Sequence, residues 1–139
     1  MAHRIWLFLA GLSGAFAVLM GAAIKHRTPP FDPQVLESLA TGQLYHILHS
    51  LALLGIATLL LASDGRRGVV TTLLMNMAAA AFAGGIVFFS FGIYGAFREG
   101  AVIHAKTIPV GGVLFMAGWA LLALSAFGLE GRAKNRDKE

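Results

Sequence analysis

Four long uncharged runs dominate the chain, separated by short stretches where charge, proline and glycine collect. They extend from Ile5 to Ile24, from about Gln43 to Ala62, from Val69 to Phe97, and from Pro109 to Leu129. A helix rises about 1.5 Å per residue and the hydrocarbon layer is about 30 Å thick, so roughly 20 apolar residues make one crossing. Every run reaches that length. The third exceeds it and must tilt, bend or extend past the interface. The pattern predicts an all-α fold, an integral membrane four-helix bundle forming one domain over residues 1–129, with a polar tail at 130–139.

The connections fit antiparallel neighbours. Ser63 to Gly68 is a short polar turn, and Arg98 to Ile108 a second short loop. The first loop is longer. Pro29 and Pro30 break any helix, and Asp32 followed by Pro33 reads as an N-cap with proline at the first helical position. Val35, Leu36 and Leu39, set among Gln34, Glu37 and Ser38, predict a short amphipathic interfacial helix before Gly42 and the second span. Pro109 suits a helix start for the same reason as Pro33. The first run, behind the basic Met1 to Arg4, is longer than a usual signal-peptide core and reads as a retained first helix.

Composition agrees with the pattern. The chain is 57% hydrophobic and 13% charged, about half the charge fraction of a soluble domain, with a mean hydropathy of +0.72. It has no cysteine, which excludes thiolate metal sites, iron–sulfur clusters and thiol catalysis. The net charge of +4 comes from residues in loops and tail without interleaved aromatics, which points to topology and anionic lipid rather than nucleic acid. With four spans, Arg4, Arg66, Arg67, Arg132, Lys134, Arg136 and Lys138 share one side, and Lys25, Arg27, Arg98 and Lys106 the other. The positive-inside rule then predicts both termini in the cytoplasm.

Helices in lipid associate through close packing and hydrogen bonds, because lipid tails are as apolar as leucine. The small residues Gly14, Ala17 and Gly21 share a face of the first span, and Ala80/Gly84 and Ala81/Gly85 recur at four-residue spacing in the third. Gly111, Gly112 and Gly118 serve the fourth. These seams predict packing within the bundle or, more sharply, a homo-oligomer or larger membrane complex.

The polar side chains within the runs converge. Gln43, His46 and Ser50 fall on one strip of the second span, and Tyr45 and His49 on the next. Ser90 and Tyr94 close the third span toward the same surface, and His26 and His104 belong to the flanking loops there. Histidine inside a membrane is costly unless partnered. Three chemistries are open: ligation of a metal or haem, with His46 and His49 as candidate ligands; hydrogen bonding of a quinone head; and proton relay. Against them stands simple hydrogen bonding to Tyr94, Ser90 or a carbonyl of a neighbouring helix. No acidic residue lies within a span, which weighs against a di-metal carboxylate site or an ion-driven pump. Asn76 reads as interhelical glue, Trp6 as an interfacial anchor and Trp119 as a space-filler between helices.

Four stretches occurring in order, GAFAVLMGAAIKH (14–26), YHILHSLALL (45–54), GIVFFSFGIY (85–94) and IPVGGVLFMAGW (108–119), carry a resemblance. Together the chain resembles the small bacterial and mitochondrial membrane family catalogued as domain of unknown function 423. The resemblance implies four helices. It also implies that His26, Tyr45, His49, Ser90, Tyr94, Pro109, Gly111, Gly112 and Trp119 are motif positions. It imports no activity and no cofactor.

The expected function is therefore a non-catalytic accessory or scaffold component of a bacterial inner membrane, or alternatively of a mitochondrial inner membrane. The alternatives are a ligand-binding module built on the His/Tyr cluster and an oligomeric small-solute channel or transporter.

Overall fold

In a computed structural model of the chain, residues 2–27, 31–63, 67–95 and 106–128 are described. They form four helices: α1 (Ala2–His26), α2 (Pro33–Ala62), α3 (Val69–Tyr94) and α4 (Ile108–Ala126). All four are long and apolar enough to cross a membrane, and no strand occurs among the described residues. The polar tail, Arg66, Arg98 and His104 lie outside the described residues.

The boundaries depart from the apolar runs at the start of α2 and at the end of α3. The amphipathic segment expected before Gly42 is present, but it continues into the second span without a break, so that α2 begins at Pro33. The Asp32 carboxylate accepts the Gln34 N–H at 2.9 Å, and Pro33 lacks the N–H that would otherwise go unpaired there. Gly42 does not end this helix. It lets the side chain of Ile93 in α3 approach the α2 backbone. The long third run resolves into a helix ending at Tyr94, with Ile86–Phe91 wound as a π-helical turn between Gly85 and Gly92. A π-turn inserts the equivalent of one residue and rotates the remainder of the helix by about 100°. In this stretch Phe89 packs toward Tyr45 and Phe115, while Phe91 stacks on Phe16 of α1 at 4.9 Å.

Neighbouring helices run antiparallel, with α1 packed mainly on α2 and α4 mainly on α3, which leaves α2 and α3 at the centre. The core between them holds Leu53, Ile56 and Leu60 of α2, Met75, Ala78 and Phe82 of α3, and Phe115 of α4. The α3–α4 seam is built from aromatics over glycines. Phe82 lies over Gly118, Phe115 over Gly85, and the Phe89 backbone over Gly111, so a Cβ on any of the three glycines would collide. Gly84 approaches Leu114 more loosely, and Gly21 makes room for Gln43. Two glycines expected to pack do not. Gly14 and Gly112 face open space, each in a hollow beside α2.

The α2–α3 turn is fastened by Arg67. Its guanidinium donates to the Leu60 carbonyl and to Ser63 Oγ near the end of α2, and its Nε–H donates to Thr72 Oγ1 in the first turn of α3. A cation at a helix C-terminus also meets the negative end of the helix dipole. An arginine read from sequence as a topology determinant is thus also a cap.

Candidate functional site: two histidine networks on opposite faces of α2

His46 and His49 stand one turn apart near the middle of α2, yet they face different helices. The strip Gln43, His46, Ser50 turns toward α1. Gln43 donates to the Ala17 carbonyl at 3.4 Å, His46 Nε2 lies 2.9 Å from Ser13 Oγ, and Ser13 Oγ lies 2.7 Å from Ser50 Oγ. The other ring nitrogen of His46 meets the Tyr94 hydroxyl at 3.2 Å, and Ser50 donates back to the His46 carbonyl at 2.8 Å.

Counting protons fixes the direction of this network. Ser50 has one hydroxyl proton and gives it to the His46 carbonyl, so Ser13 must donate to Ser50. Ser13 is then spent and accepts from His46 Nε2–H. A neutral imidazole leaves Nδ1 as acceptor for the Tyr94 O–H. Every polar atom in the chain Tyr94, His46, Ser13, Ser50 is satisfied, and α1, α2 and α3 are tied together by it. The network runs from Ser13 at the middle of α1 through His46 to Tyr94, the last residue of α3.

His49 belongs to the other face. Its Nδ1–H donates to the Tyr45 carbonyl at 2.7 Å, which makes Nε2 the acceptor for the Trp119 indole N–H at 3.2 Å. The imidazole stacks on Phe115 at 3.5 Å between centroids, with Phe82 and Trp119 at its edges. Trp119 is thus no buried filler: half its surface is exposed, and its one polar atom is bound to His49. Trp6 also differs from its expected role as an interfacial anchor. Its indole turns inward and donates to Asn76 Oδ1 at 2.8 Å, while the Asn76 amide caps the Thr72 carbonyl.

The remaining sequence candidates divide. Tyr45 lies beside His49, stacked on it and on Phe115. Ser90 is fully buried in the π-turn, and its hydroxyl has no hydrogen-bond partner among the described residues. His26 is exposed at the end of α1 and takes part in neither network. The candidate metal pair His46 and His49 does not converge, and each ring nitrogen already has a partner. Among the described residues no group of three or more His, Cys, Asp or Glu could hold a metal ion. Ser13 and the Trp119 indole are the partners that residue spacing missed. The signal available was that a lone mid-span hydroxyl and an indole N–H each need an acceptor or donor at matching depth.

Two hollows lie against these networks. One, of about 410 Å³, opens between α1 and α3 over Ser13 and His46. The other, of about 980 Å³, runs between α2 and α4 from Pro109 to Trp119 with His49 and Tyr45 on its wall.

The fold and site therefore define a small four-helix membrane protein whose buried histidines are hydrogen-bonded within the bundle. Comparison with known proteins places it more narrowly. The family model described as "Protein of unknown function (DUF423)" matches residues 20–112, and the chain belongs to that family. It is 30% identical to the UPF0382 inner membrane protein YgdD of Escherichia coli (strain K12), over 94% of this chain and 95% of the relative. It is 28% identical to a UPF0382 membrane protein of Haemophilus influenzae, over 88% of this chain and 93% of the relative. It is 30% identical to the UPF0382 membrane protein SSP2132 of Staphylococcus saprophyticus, over 89% and 98% respectively. No solved structure matches.

Proposed function

We propose that this protein is a non-catalytic accessory component of a larger assembly in the bacterial inner membrane, the compartment carried in the name of its Escherichia coli relative. The observation that carries the reading is the unused surface of α1. Only Ala10 and Ala17 of its 25 residues are buried. Gly11 and Gly14 have nothing within 4 Å of where a Cβ would stand. They floor a hollow of about 420 Å³ flanked by Leu7 and Val18 of α1 and by Ile47, Leu51 and Leu54 of α2.

Gly11 and Gly14, three residues apart, would let a second backbone come close, and such close packing is one source of helix association in lipid. The α3–α4 seam uses its glycines within the chain, whereas this pair is left free. The occupant that fits is a transmembrane helix of a partner subunit, with bulky aliphatic side chains set over Gly11 and Gly14. The histidine networks support the non-catalytic part of the reading, since within the bundle each imidazole nitrogen already has a partner.

The test is native electrophoresis of the tagged protein, expressed at its chromosomal level and extracted in mild detergent. Wild type migrates in a complex well above its own 14.7 kDa mass. Gly14→Leu places its Cβ in open space, occupies the hollow and releases the chain from the complex. Migration of wild type as a bare monomer, or an unchanged complex in Gly14→Leu, sinks the proposal. A complex containing only this chain would assign the hollow to a second copy instead.

A further inference from the structure

The contact between Trp119 and His49 sits in the wall of the α2–α4 hollow, and its chemistry restricts what can enter. His49 Nδ1 faces a backbone carbonyl, which can only accept, so Nδ1 carries the proton and Nε2 is an obligate acceptor. The indole N–H of Trp119 is a donor only. They meet at 3.2 Å, the long end of the hydrogen-bond range, and half of Trp119 is free of the bundle. A group inserted between them must accept from the indole and donate to the imidazole. A hydroxyl does both. A carbonyl or an ether can only accept, and would strand Nε2 in an apolar hollow.

The hollow fits such a ligand in its other properties. It holds about 980 Å³, at the upper end of small-molecule sites, and among the described residues no charged side chain lines it. Leu44, Leu48, Val113 and Met116 form its aliphatic sides, and Gly112 leaves it open. We propose that the α2–α4 hollow binds a lipophilic hydroxyl compound, an isoprenoid alcohol or an aromatic quinol, whose hydroxyl bridges Trp119 Nε1–H and His49 Nε2. Its chain lies along the hollow toward Pro109. This site is independent of the α1 surface assigned to a partner.

Native mass spectrometry of the full chain in detergent tests the proposal with two matched probe pairs. These are geranylgeraniol with its methyl ether, and decylubiquinol with its dimethyl ether. One hydrogen bond stranded at Nε2 makes each ether bind about tenfold more weakly than its hydroxyl partner. Whether the alcohol or the quinol is held tighter identifies the source of the hydroxyl. His49→Phe brings the members of each pair within about twofold. Trp119→Phe leaves Nε2 unpartnered and so keeps or widens the preference, which preserves the test should His49→Phe not fold. Absence of binding by all four probes overturns the proposal, as does equal binding within both pairs. So does a preference that survives His49→Phe or disappears in Trp119→Phe.

Discussion

The ring of Phe115 lies over Gly85 so closely that no side-chain atom could stand at that glycine. The same relation recurs between Phe82 and Gly118, and the Phe89 backbone occupies the corresponding place at Gly111. At Gly111 the obstacle is main chain, which cannot swing aside. Gly111→Ala is therefore expected to lose about 1–3 kcal/mol, the usual range for overpacking. Its neighbour Gly112 faces open space, and Gly112→Ala should stay within about 0.5 kcal/mol of wild type. Unfolding of both variants in mixed detergent micelles measures the difference. Equal effects would mean that α3 and α4 are not in this register.

Two serines, the half-buried Ser13 and the buried Ser90, should respond in opposite ways. Ser13→Ala strands His46 Nε2 and breaks the chain of hydroxyls between α1 and α2. Hydrogen bonds between membrane helices are worth about 0.6 kcal/mol on average and up to about 1.7, and the cost should fall in the upper part of that range. Ser90 has a buried hydroxyl with no partner among the described residues, so Ser90→Ala removes an uncompensated polar group. It should be neutral or stabilising by up to about 1 kcal/mol. A destabilised Ser90→Ala would reveal a partner, such as an ordered water held in the π-turn.

The Trp6 to Asn76 bond predicts a coupling across α1 and α3. Trp6→Phe keeps the aromatic bulk and loses only the donor, at a cost of about 0.6 kcal/mol. In an Asn76→Leu background the same change should cost almost nothing. A double-mutant cycle with no coupling energy would return Trp6 to the role of an interfacial anchor.

Arg67→Ala removes the cap shared by the Leu60 carbonyl, Ser63 and Thr72. A loss of about 1 kcal/mol is expected, reduced at high salt because the site is partly exposed. Arg67→Lys retains the charge but not the forked geometry, and should recover less than the whole. Full recovery by lysine would show that charge alone matters at this turn.

Much of the fold was legible because a membrane helix is written in length and hydropathy, and the four runs satisfy both. The division of the second run into the strips Gln43/His46/Ser50 and Tyr45/His49 was legible from helical spacing as well. What each strip faces was not. Spacing fixes angles around one helix, whereas Ser13 and Trp119 became partners through the position of α2 between α1 and α4. The π-turn at Ile86–Phe91 leaves no mark in the apolar pattern, since its residues are as hydrophobic as their neighbours. The early start of α2 was hidden because the amphipathic segment from Pro33 changes composition at Gly42 without changing conformation.

The free face of α1 bears the functional account, and photo-cross-linking in intact inner membranes tests it most directly. A photoreactive side chain at Gly14 should capture a discrete protein partner, while one at the exposed Phe88 of α3 should label lipid alone. Lipid adducts alone from both positions would contradict the account, leaving the Gly11/Gly14 hollow as a surface that meets only the bilayer.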